Sequence, residues 1–125
     1  MTKILLIEDD EVLSGMYKMK MKQEGYDVVL ADNGENGLEK AKTDKPDIIL
    51  LDLILPQKDG YQVLEELKQS KETKDIKVFI LSNLGQNGEI KKGKEMGAED
   101  YFIKADLTPG QLVEKIKKRL QEDEK

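Results

Sequence analysis

Two hydrophobic periodicities alternate along this chain, and that alternation restricts its fold more than any other feature. Short apolar runs of strand type occupy KILLIE (3–8), DVVLA (27–31), DIILLD (47–52), KVFIL (77–81) and DYFIK (100–104). Longer polar segments lie between them, with apolar residues at helical spacing. The first runs from about Asp10 to Gln23, with Leu13, Met16, Tyr17 and Met21 on one face and Gly25 as its stop. The second runs from about Asn33 to Thr43, places Leu38 and Ala41 inward, and ends at Lys45-Pro46. The third follows the turn and cap Asp59-Gly60 and carries Val63, Leu64 and Leu67. The fourth, from about Gly88 to Met96, has few apolar residues, contains Gly88 and Gly93, and stops at Gly97. The fifth takes Thr108 as N-cap and Pro109 at its first helical position, then presents Leu112, Val113, Ile116 and Leu120. Five strands alternating with five helices predict an α/β domain, with a mostly parallel sheet and helices on both faces.

The 125 residues suit one domain large enough to bury a core without staples. The expected division is a domain over residues 1–121 and a charged tail over 122–125. The chain has no cysteine and no histidine. That excludes disulfides, thiol chemistry, His–Asp triads and imidazole metal sites. A formal charge of −5 argues against direct binding of nucleic acid. No apolar run reaches membrane-spanning length, and the N-terminus lacks a secretory cleavage pattern, so a soluble cytoplasmic protein is expected.

In a parallel α/β sheet the reactive crevice lies at the carboxyl ends of the strands. Those ends carry Glu8-Asp9-Asp10, Asp52, Ser82-Asn83 and Lys104. Singly, each fits an ordinary role: acids open a helix, a serine caps a loop, a lysine faces solvent. Together they are more informative. Clustered carboxylates repel unless a cation sits among them, and oxygen donors without His or Cys favour a hard ion such as Mg²⁺. A carboxylate beside such an ion can attack phosphorus and form an acyl phosphate. A lysine and a hydroxyl can hold the phosphoryl oxygens.

The motifs ILLIEDD, DLILPQKDG, FILSN and GAEDYFIK, in that order and spacing, resemble the receiver domain of two-component response regulators over essentially the whole chain. The resemblance implies a flavodoxin-like doubly wound (βα)5 fold with strand order 2-1-3-4-5. It implies that Asp52 accepts a phosphoryl group from a histidine kinase or histidine phosphotransfer protein. Asp9, Asp52 and the backbone carbonyl of Ile54 would hold Mg²⁺, with Mn²⁺ as a substitute, and Glu8 would act through water. Asp10 would face solvent. Lys104 would pair with the phosphoryl group. Ser82 would swing toward it, and Tyr101 would turn inward as the switch aromatic. The face formed by the fourth helix, fifth strand and fifth helix would control an unidentified downstream protein. The chain would act as a monomer or as a homodimer formed on phosphorylation through that face, where Asp100, Lys115 and Arg119 offer charges. It would be a phosphoacceptor switch, not an enzyme in the ordinary sense.

The sequence departs from the family pattern at Ala105, where a proline usually follows the lysine, and at Asn83, where a small residue usually follows the hydroxyl. A cis bond before alanine costs more than one before proline, which bears on the reach of Lys104. Asn83 is expected to touch the phosphoryl group or narrow the crevice. Ile54 and Leu84 flank the path of the attacking water in receivers, and their apolar character predicts a long-lived phospho-Asp52. The leading reading is a single-domain receiver, without a DNA-binding output domain. Alternatives are a receiver cut from a larger regulator, a phosphorylation-independent scaffold and a flavodoxin-like module, although 5% aromatics supports flavin stacking poorly. A haloacid dehalogenase-type phosphatase would need an acid where Ile54 stands.

Overall fold

A computed structural model describes residues 2–83 and 87–123. Its elements are β1 Lys3–Ile7, α1 Glu11–Gln23, β2 Asp27–Ala31, α2 Gly34–Asp44, β3 Ile48–Leu51, α3 Gly60–Gln69, β4 Lys77–Ser82, α4 Asn87–Glu95, β5 Asp100–Ile103 and α5 Pro109–Asp123. A 3-10 turn over Lys104–Asp106 joins β5 to α5. The strands form a parallel sheet in the order β2-β1-β3-β4-β5, as the family resemblance implied.

Strand residues alternate between two buried faces because strand side chains point to opposite sides. Ile4, Leu6, Ile48, Leu50, Phe79 and Leu81 pack with Tyr17 and Met21 of α1 and with Leu112, Val113 and Ile116 of α5. Leu5, Ile7, Ile49, Leu51, Val78 and Ile80 pack on the opposite side, with Ala41 of α2 and Val63, Leu64 and Leu67 of α3. Ile90 and Met96 also pack against this second core.

One helix face differs from expectation. Met16 is 47% exposed, and Ser14 is buried with Tyr17 and Met21. Met16 lies about 100° around the axis from Tyr17, beyond the strip that meets the sheet. Leu38 of α2 is half-buried, whereas Ala41 is fully enclosed.

The helix starts follow the capping residues in the sequence. Asp10 accepts hydrogen bonds from the backbone N–H groups of Val12 and Leu13, and Asn33 accepts one from Asn36. Asp59 and Gln62 form a reciprocal capping box, as do Thr108 and Gln111. Lys45 closes α2 in the left-handed region, at φ 46°.

Gly60 has a further role beyond its cap. A Cβ there would lie 2.4 Å from both the Asp52 carbonyl oxygen and Leu53 Cα. The start of α3 is therefore pressed against the backbone that leaves β3, and only glycine permits that approach. No described helix is long and apolar enough to cross a membrane.

Candidate functional site

The register brings the ends of β1, β3, β4 and β5 to one edge. Ile7 is paired with Leu51, Leu51 with Ile80, and Ser82 with Ile103. The Asp52 N–H donates to the Ile7 carbonyl at 3.1 Å, and the Glu8 N–H donates to Ala31 at 3.0 Å. Glu8, Asp9, Asp52 and Lys104 follow directly from those strand ends.

Lys104 is the centre of the site. Its Nζ lies 2.8 Å from Asp52 Oδ2 and also donates to Glu8 Oε1. Asp52 Oδ1 accepts from the Ile54 N–H at 3.2 Å, and Glu8 Oε2 accepts from the Asp10 N–H at 3.2 Å. Glu8 and Asp52 are almost fully buried, at 3% and 5% exposure, while Asp9 is exposed. Asp52 thus lies past the last residue of β3 but still inside the protein. Burial continues through Leu53 and stops at Ile54, which is 57% exposed.

Glu8, Asp9 and Asp52 each place a carboxylate oxygen within 4.8 Å of the others. Lys104 brings one positive charge to this group, too little to balance three carboxylates. The donor set is hard oxygen and the cluster opens to solvent at Asp9, so the residues fit a divalent cation such as Mg²⁺ or Mn²⁺. Asp9, Asp52, Ile54, Asn83 and Lys104 line the cleft above it.

The electrostatics reflect this crowding. Burial is the largest influence on Glu8 and raises its pKa above the usual 4.5, against the lowering effect of Lys104. Burial also acts most strongly on Lys104 and disfavours its charge. The hydrogen bonds to Asp52 and Glu8, with the attraction of the two carboxylates, together outweigh that effect, and the ammonium is held above its usual 10.5.

Ser82 is fully buried at the end of β4. Tyr101 is 8% exposed, is hydrogen-bonded to Ser82, and lies beneath Gly93 of α4. The Tyr101 side chain is therefore turned inward, against Ser82 and Gly93. Asp10 is exposed, as expected, and caps α1. Leu84 lies outside the described residues. Asp100 and Arg119, expected to offer charges to a dimer partner, are ion-paired within the chain at 3.8 Å.

Two contacts escaped the sequence reading. Glu8 meets Lys104 directly, across 96 positions of chain. Asn83 uses its side-chain oxygen to accept the Ala105 N–H at 2.9 Å. The Lys104-Ala105 peptide is not cis, and Lys104 nonetheless reaches both acids.

Residues 4–117 match the response regulator receiver domain family. The chain is 36% identical over 98% of its length to the alkaline phosphatase synthesis transcriptional regulatory protein PhoP of Bacillus subtilis, covering 50% of that protein. It spans about half the length of the curated relatives it matches. Among solved structures it resembles a CheY-like response regulator receiver domain protein from Methanospirillum hungatei. That match has a TM-score of 0.89 and 27% identity, covering 99% of this chain and 97% of the other. It also resembles the response regulator Rcp1, solved in an Mn²⁺-bound form, with a TM-score of 0.72 and 27% identity, covering 82% of this chain and 81% of that one. The sequence match spans the same five strands whose ends gather the acids and the lysine, and this chain belongs to the receiver domain family of two-component response regulators.

Proposed function

We propose that this chain is a phosphoryl-accepting switch in which Asp52 receives phosphate from a histidine kinase or histidine phosphotransfer protein. The observation that carries this reading is the contact of Lys104 with Asp52 inside an acidic cluster at the strand ends. In the transfer, an Asp52 carboxylate oxygen forms the new O–P bond as the bond from phosphorus to the donor nitrogen breaks. The attacking atom is a carboxylate oxygen, which needs no general base to act as nucleophile. Lys104 holds one phosphoryl oxygen and the Ser82 hydroxyl another. Asp9, Asp52 and the Ile54 carbonyl would hold a divalent cation, with Glu8 acting through water, and such a cation would supply charge compensation for the remaining oxygens.

Binding of Lys104 and Ser82 to the phosphoryl group is the local change that biases the switch. Ser82 is hydrogen-bonded to Tyr101, so its displacement reaches the surface of α4, β5 and α5. That surface acts on a downstream protein, in a cytoplasmic pathway. The curated relatives are about twice as long as this chain, which favours a second reading, in which the switched surface acts on an attached output domain.

Intact mass after treatment with acetyl phosphate and Mg²⁺ tests the reading. One phosphoryl adduct is expected, absent from Asp52→Ala and abolished by a chelator. An adduct that persists in Asp52→Ala overturns it.

A further inference from the structure

We propose that Asn83 is a positioning residue that fixes Lys104 by clasping the backbone immediately after it. Ser82 and Ile103 are the last register partners of β4 and β5. Beyond them the two chains separate into different loops. The Asn83 side chain bridges the gap, because its Oδ1 accepts the Ala105 N–H at 2.9 Å. A backbone N–H can only donate, so the amide atom facing it must be the oxygen, and the orientation of the Asn83 amide follows.

The clasp acts at the peptide that follows Lys104. On one side, Lys104 is held by the β4–β5 ladder through Ile103. On the other, Ala105 is held by Asn83, and the Lys104 carbonyl accepts the Leu107 N–H at 3.3 Å to close the turn. A lysine side chain has many rotamers, and a fixed backbone lowers the entropy lost in holding its ammonium between two carboxylates. The far end of the clasp is the residue beside Ser82. Displacement of Ser82 is therefore carried directly to the backbone of Lys104.

The clasp stands on geometry, but its consequence for phosphorylation rests on the proposed function. Three readings on Asn83→Ala, Ala105→Pro and the double variant separate the two. In Asn83→Ala, hydrogen exchange of the Ala105 amide should accelerate at least about tenfold. The ¹⁵N signal of the Lys104 ammonium in the unphosphorylated protein should broaden through faster proton exchange. Phosphorylation by phosphoramidate should slow about three- to tenfold. Ala105→Pro deletes the donor, so its effect and that of Asn83→Ala should not add. Asn83→Asp keeps the acceptor and should retain both the amide protection and the lysine signal, which keeps the test valid if Ala105→Pro fails to fold. Unchanged Ala105 exchange and an unchanged lysine signal in Asn83→Ala overturn the clasp, as do fully additive effects. If the parent protein takes no phosphate, the proposed function fails, while the exchange and lysine readings still decide the clasp.

Discussion

Lys104 Nζ stands 2.8 Å from Asp52 Oδ2 and simultaneously bonds Glu8, so one half-buried cation serves two buried acids. The arrangement is electrostatically incomplete, since Asp9 adds a third carboxylate. Burying a charge is costly unless it is well partnered. This imbalance fits a site that takes up a divalent cation.

The first prediction concerns Glu8, whose pKa burial raises above 4.5. A raised carboxylate binds more protons in the folded state than in the unfolded state. Its contribution to stability therefore falls as pH rises from about 4.5 through the raised value. Glu8→Gln lacks that loss. In urea unfolding with chelator present, the variant should gain stability relative to the parent as pH increases from 4.5 toward neutrality. A difference independent of pH would refute the assignment.

Gly60→Ala should destabilise the protein by about 2 kcal/mol or more, because the new Cβ meets backbone rather than a flexible side chain. The atoms it strikes belong to Asp52 and Leu53, so phosphorylation should slow as well. Chemical denaturation and phosphoramidate labelling measure the two effects. Normal stability would show that the start of α3 can retreat from the strand end.

Tyr61 ties α3 to α4: its hydroxyl donates to Glu89, and Lys92 Nζ sits 4.1 Å from its ring centroid. Burial first, and then Glu89, raise the Tyr61 phenol above its usual 10.0. Below pH 10.0 the parent should exceed Tyr61→Phe in stability by about 1 kcal/mol, from the hydrogen bond. The raised pKa means that this advantage is complete at lower pH and declines as pH climbs through the folded-state value. Denaturant midpoints between neutral and strongly alkaline pH test the sign. An advantage that grows with pH would contradict it.

Ile54 is exposed at the mouth of the cleft, two residues after Asp52. If it helps keep water from phospho-Asp52, Ile54→Asn combined with Leu84→Glu should hydrolyse faster, by about tenfold. Loss of the phosphoryl adduct with time, followed by intact mass, is the measurement. Decay no faster than in the parent removes this role.

The elements were legible because each rests on a local rule. Alternating apolar runs named the strands, and Asp59-Gly60, Thr108-Pro109 and Gly97 marked helix ends within a residue or two. Met16 was misplaced because helical spacing gives a broad apolar arc, whereas the sheet covers only the strip through Ser14, Tyr17 and Met21. The depth of Asp52 is likewise set by tertiary packing. A charge at a strand end suggests an opening to water, but Leu53 and the start of α3 close over it.

The sequence by itself determined the βα alternation, and it placed acids, hydroxyl and lysine at successive strand ends, because hydrophobic period and strand polarity are local properties. Tertiary structure decided which of those groups touch. Glu8 meets Lys104 across 96 positions, Asp52 meets it across 52, and Asn83 meets Ala105 across 22. These contacts depend on how separate loops leave a twisted sheet, and no periodicity along the chain encodes that separation.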